Sequence, residues 1–290
     1  MALPLDPRCR ELSHPDMFNF SVSIFIVLGI LVSYLPQHYK IITRRSSRGL
    51  SHMFVLLGTI SGTASIANIL TLPESTRDMG CCKEISIFAC AAAMLGIAQI
   101  AVQWTCFFFI MMLFLIFFPR STTDGTEAVD EDERDLRSPA EAILVLAGSL
   151  ACFLFTLFGS VIIAYAAPGN LRGWANFLGI WASVFAAVQY LPQIHMTWKA
   201  QAVGSLSVPM MSIQTPGSFV FAGSLYARLG PNGWSAWGLF IMTGCLQGCL
   251  LVMSLIFLYR ERKARKEALN EADGEGTERE PLLANQVVGH

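Results

Sequence analysis

Tyr34-Leu35-Pro36-Gln37 closes one apolar stretch of this chain, and Tyr190-Leu191-Pro192-Gln193 closes another, 156 residues later. The same offset, with no gap, pairs Leu50-Ser51 with Leu206-Ser207, so six of eighteen positions are identical across 34–51 and 190–207. Each copy is followed by a short loop and a further apolar stretch. Self-similarity at a fixed offset sets the architecture before any local reading does.

Working outward, only 14% of the 290 residues are charged, against roughly 25% in a soluble domain, and the mean hydropathy is +0.51. The charges leave seven charge-free stretches: 17–39, 49–73, 85–119, 142–171, 173–198, 200–227 and 229–259. About 20 apolar residues cross a bilayer as a helix, so each stretch is long enough. A soluble enzyme, a nucleic-acid binder and a disulfide-stapled secreted domain are excluded. The first stretch is no cleaved signal peptide, because no basic region precedes it; Lys40, Arg44, Arg45 and Arg48 follow it instead.

With seven spans and the first loop cytosolic, fourteen Lys and Arg fall on the cytosolic face and six on the other, as the positive-inside rule requires. Splitting 85–119 into two spans gives the same ratio, so charge does not choose between seven and eight. Seven is preferred because Ala91 to Phe118 lacks a turn cluster, and because both YLPQ copies then share the cytosolic face. The expected fold is an all-α polytopic membrane protein with seven transmembrane helices, two parallel three-helix repeats joined by an inverting fourth helix (3+1+3). Three is odd, so a second unit fused directly would enter upside down; 142–171 restores its orientation. The expected segments are a lumenal N-terminus 1–17, a first bundle 18–118, an acidic cytosolic linker 119–140, the inverter 141–171, a second bundle 173–259 and a cytosolic tail 260–290.

Two Pro-Gln dipeptides at matched helix ends in a 3+1+3 chain resemble the PQ-loop family over roughly 18–260. Its members include cystinosin, the lysosomal and vacuolar basic amino-acid transporters and, more distantly, the SWEET sugar transporters. The resemblance implies a transporter that alternates access around a site between its two bundles. Related members are thought to use acidic residues for proton coupling. No interior Asp, Glu, Lys or Arg stands in any of the seven stretches here, so the proton acceptor and the counter-ion for a basic substrate are both missing.

Proline deletes a backbone donor and clashes with the carbonyl four residues earlier. Pro36 and Pro192 would free the carbonyls of Val32 and Val188, and Gln37 and Gln193 carry donors and acceptors that can bond backbone so exposed. The functional reading is a paired hinge at the cytosolic gate; the competing one is that proline is common near membrane-helix ends. The neutral polar residues Asn68, Gln99, Gln103 and Gln247 are candidates for the solute cavity. Gln99 and Gln103, four apart, share a helix face. Their alternative role is hydrogen bonding between helices, worth about 1 kcal/mol or less per bond. His38 and His195 lie beside the two motifs and are candidate pH sensors, or plain interfacial histidines. Gly58-xxx-Gly62 and Gly244-xxx-Gly248 permit close helix contact, within or between protomers.

Cys90, Cys106, Cys152, Cys245 and Cys249 lie in apolar stretches and read as small hydrophobes. Cys9 can pair with Cys81 or with Cys82 in an oxidising lumen, or all three are free thiols. No spacing suggests a metal site, and no HExxH, GxSxG, Walker or GxGxxG signature is present. No catalytic residue, cofactor or nucleic-acid partner is therefore expected. In the tail, Arg260 to Lys266 is basic and meets lipid headgroups. Glu278, with Leu282 and Leu283, then fits an acidic dileucine address, read by an adaptor complex for the lysosome or vacuole. The expectation is a lysosomal or vacuolar transporter of a small-molecule solute, amino acid before sugar, able to form a homo-oligomer. The rival is a seven-helix sensor that binds a solute and recruits a cytosolic partner.

Overall fold

The computed structural model describes residues 6–47, 50–118, 139–201 and 208–284. Every regular element among these residues is helical. A short α1 (Pro7–Leu12) precedes α2 (Met17–Arg44) and α3 (His52–Thr71), and a nine-residue α4 (Pro73–Cys81) precedes α5 (Ile87–Ile116). Then come α6 (Pro139–Ala166), α7 (Leu171–Ala200), α8 (Val208–Leu229) and α9 (Trp234–Ala284). Seven helices thus have 20 or more residues, and six are long and apolar enough to cross a membrane. The exception is α8. It has spanning length, but Gln214-Thr215-Pro216-Gly217-Ser218 interrupts its apolar character. The stretch 85–119 forms one continuous helix, α5, without a turn between two spans.

Packing follows the repeat. In the first half α5 lies between α2 and α3; in the second half α9 lies between α7 and α8. The halves meet along a seam where α3 packs on α7 and α2 on α8, while α6 leans mainly on α3. That makes α3 the central helix, 61% buried over its apolar window against 17% for α2. Small residues allow it: Gly58 and Gly62 face Phe107 and Trp104 of α5. In the second half Gly244 and Gly248 of α9 receive Ser218, Phe219 and Thr215 of α8. Both Gly-xxx-Gly pairs therefore work within the protomer. A core of Ile26, Ala64, Ile100, Ala182, Leu225 and Phe240 draws on both halves.

The Pro-Gln helices share an ending. Among the described residues, Arg45 (φ 46°) and Gln201 (φ 50°) are the two non-glycine residues with positive φ. They cap α2 and α7 and stand 156 apart, the offset of the sequence repeat. Side chains in this left-handed region cost roughly 1–2 kcal/mol, so the shared cap marks duplicated backbone as well as duplicated sequence.

One expectation needs correction, and two segments take a form that charge and hydropathy do not indicate. Cys90 is not a hydrophobe in a span: it is disulfide-bonded to Cys82, and Cys9 pairs with Cys81. The turn after α4 folds Cys82 back onto the start of α5, a proximity that composition does not reveal. The charged segment between the second and third apolar stretches contains a helix, α4, placed by Pro73 at its first turn. The tail is helical from residue 260, because α9 continues to Ala284. Arg, Lys, Glu and Ala favour helix there, and Lys263 and Glu267 pair at 3.8 Å one turn apart. The acidic linker lies almost wholly outside the described residues, as do the side chains of Glu278, Leu282 and Leu283.

Candidate functional site

Both Pro-Gln motifs lie inside long helices, so neither proline ends its helix. Pro36 and Pro192 are exposed, and Gln37 and Gln193 are half-buried. Neither glutamine side chain reaches a hydrogen-bond partner among the described residues. The carbonyls that the prolines strip of their donors are therefore not met by these amides in this conformation.

The tyrosines of the same motifs do find partners. The Tyr190 hydroxyl accepts a 2.7 Å hydrogen bond from Gln247 Nε2 of α9. In the other half, Tyr34 lies beside Gln103 of α5, and also within electrostatic reach of Tyr190. Each bundle thus brings a tyrosine from its first helix and a glutamine from its last to one place on the seam. Gln214 Oε1 of α8 lies 3.5 Å from Gln247 Nε2, extending this amide and hydroxyl surface. These groups donate and accept hydrogen bonds and carry no formal charge.

The other expected residues are distributed differently. Asn68, 1% exposed, donates to the Ala175 carbonyl (2.6 Å) and to Ser235 Oγ (3.0 Å), tying α3 to α7 and α9. Gln99, fully buried, donates to the Ser23 carbonyl of α2 at 3.1 Å. Both are committed to interhelical bonds, while Gln103 and Gln247 lie beside the tyrosines. Gln99 and Gln103 do share the face toward α2. His38 Nε2 sits 3.0 Å from the Cys106 carbonyl, its ring between Tyr34 and Phe109, whereas His195 is exposed. The two histidines are not a structural pair.

At the far end of the seam stands a group that sequence reasoning missed. Arg228 separates two charge-free stretches, which made it look like a loop residue. It lies one residue inside the end of α8. Its Nη1 donates to the Ala92 carbonyl of α5 (2.8 Å) and its Nη2 to Ser23 Oγ of α2 (2.7 Å). Arg8 of α1 clamps Asp78 of α4 with two bonds, 2.8 and 3.0 Å, and also donates to the Arg228 carbonyl at 3.1 Å. The Asp78 carboxylate holds the Arg8 guanidinium more firmly protonated than usual. Nearby, the Arg8 backbone N–H, and then Arg77, hold the Asp6 carboxyl below its ordinary value. A cavity of about 10 Å³, room for one water, lies among Ser75, Asp78, Gly96 and Arg228.

Repeated helical bundles, apolar spans and paired proline motifs define a duplicated helical membrane protein. The PQ loop repeat model matches residues 18–78 and 174–234, two stretches that begin 156 residues apart. The chain is also similar to "Uncharacterized protein C4C5.03" of Schizosaccharomyces pombe, 34% identical over 256 residues that cover 86% of this chain and 83% of the relative. It belongs to the PQ-loop repeat family.

Proposed function

We propose that the protein is a transporter that carries a small polar organic solute across the vacuolar or lysosomal membrane by alternating access. The seven long helices are read as two parallel triple-helix repeats, α2–α3–α5 and α7–α8–α9, with α6 as the inverter. The N-terminus, α1 and α4 then lie in the lumen, and the Pro-Gln ends, the linker and the tail in the cytosol. The two disulfides suit an oxidising lumen, and the excess of Lys and Arg suits the cytosolic side.

The observation that carries this reading is the matched pair Tyr34–Gln103 and Tyr190–Gln247, one from each half, meeting at one seam. A duplicated site between duplicated bundles is the arrangement that rocking motion needs. Its neutral hydrogen-bonding groups fit a zwitterionic or hydroxyl-rich solute, an amino acid first and a sugar second. Pro36 and Pro192 supply bending points in the two helices that carry the tyrosines. The tail's basic cluster meets anionic headgroups, and Glu278 with Leu282 and Leu283 addresses an adaptor complex.

A sensor that binds solute and recruits a cytosolic partner is the second reading, favoured by α9 continuing as helix to Ala284. Uptake into proteoliposomes of a mixed pool of amino acids and sugars separates the two, wild type beside Pro36→Ala/Pro192→Ala. Saturable uptake that falls at least tenfold in the double variant, with unfolding temperature kept, supports the transporter. Solute binding without flux from folded protein gives the sensor.

A further inference from the structure

We propose that α1 and α4 form a one-sided lid over the end of the seam opposite the Pro-Gln motifs, fixed to the first bundle and joined reversibly to the second where Arg8 bonds the Arg228 carbonyl and Glu74 pairs with Arg172, above an Arg228 side chain that ties α8 to α2 and α5. The inference rests on the alternating-access reading, because a lid needs two bundles that part.

The staples and the bolts divide cleanly. Cys9–Cys81 joins α1 to α4, and Cys82–Cys90 joins the end of α4 to α5. The chain itself joins α4 to α3. Every covalent tie therefore lies inside the first half, and no disulfide crosses the seam among the described residues. Besides the apolar core shared by both halves, what crosses it there is polar. Arg228 of α8 reaches Ala92 and Ser23; Ser224 Oγ lies 3.4 Å from Ser23 Oγ; Arg8 reaches the Arg228 carbonyl; Arg172 of α7 meets Glu74 of α4 at 2.7 Å. A rigid cover on one bundle, with breakable contacts to the other, is what a gate requires.

Two further observations separate this from ordinary packing. Arg228 is a cation among helices, yet its Nε is buried without a hydrogen-bond partner among the described residues, as is Ser75 Oγ beside it. A cation at such a place is costly and marks function; here its bonds are incomplete, so leaving them costs less. The lid is also absent from the second half. There α8 and α9 are joined by a single turn of 3-10 helix, Pro231–Gly233, where the first half has all of α4. Duplication alone does not produce α4, so it serves something that only one half needs.

The test is access to the seam beneath the lid. Ile97 lines the cavity under Arg228. Ile97→Cys is placed in protein whose free Cys106, Cys152, Cys245 and Cys249 are replaced by alanine, with both disulfides kept, and labelled in nanodiscs with a charged thiol reagent. Labelling is expected to be slow, and to accelerate at least tenfold in Arg228→Gln and several-fold in Arg172→Gln. The latter removes a surface ion pair and leaves folding intact if the former does not. Arg260→Gln, on α9 far from the lid and past its apolar stretch, is expected to change nothing. Equal labelling in Arg172→Gln and the parent, or the same acceleration from Arg260→Gln, overturns the lid. Accelerated labelling with no solute flux in any form keeps the lid and removes the transporter reading.

Discussion

The two ends of the inter-bundle seam are built from different chemistry. The Pro-Gln end is symmetric: Tyr34 with Gln103 and Tyr190 with Gln247 come from equivalent helices, and the capping residues Arg45 and Gln201 share one backbone conformation. The hydrogen-bonding groups of these tyrosines and glutamines are neutral, and no disulfide reaches them among the described residues. The lid end is asymmetric, charged and stapled, with Arg8, Asp78 and Arg228 bonded together and two disulfides on one side only. Symmetry is kept where the two halves present equivalent groups to each other, and abandoned where one half covers the other.

The comparison breaks most strongly at the staple. Cys9→Ser/Cys81→Ser is expected to lower unfolding stability by about 2–4 kcal/mol, read by thermal unfolding in nanodiscs, while the Tyr190–Gln247 pairing stays unchanged. The second half has no staple at that end and relies on close packing instead. A Cβ on Gly179 of α7 would run into the Ser235 carbonyl of α9, which is backbone and cannot turn aside. Gly179→Ala is therefore expected to cost about 1–3 kcal/mol in the same assay, and no loss would mean the second bundle is loosely joined there. At the same end, where α3 meets the starts of α7 and α9, Asn68→Ala removes two buried bonds and is expected to cost about 1 kcal/mol. At the Pro-Gln end the effect on stability is smallest. Tyr34→Phe/Tyr190→Phe is expected to shift it by less than about 1 kcal/mol, yet to cut solute uptake at least tenfold; a large stability loss with uptake kept would make these pairs structural.

Much of the Pro-Gln end was legible in the sequence. The 156-residue offset located both motifs, the duplicated helices and the family, and Gln103 and Gln247 were among the cavity candidates. Tyr34 and Tyr190 were quoted in the motif but not weighed, although a hydroxyl repeated at that offset was the available signal. The lid end was not legible, for physical reasons. Dividing the chain at every charge made Arg228 a boundary, whereas the fold folds its guanidinium back among α2 and α5. α4 has no counterpart 156 residues on, so the repeat could not announce it. Asn68 and Gln99 looked like cavity residues because hydropathy records that a polar group is buried, but not which carbonyl it meets. The same blindness hid the Cys82–Cys90 bridge.

The most direct test of the central claim, that the two ends open in alternation, is double electron–electron resonance in nanodiscs. The four free cysteines are replaced, and spin labels are placed in one sample at Leu35 and Leu191 and in another at Met17 and Tyr226, all exposed positions. The account predicts two distances for each pair, with the wider population at one end growing as that at the other shrinks when Arg172→Gln loosens the lid. One unchanged distance at both ends, with and without that substitution, would contradict it.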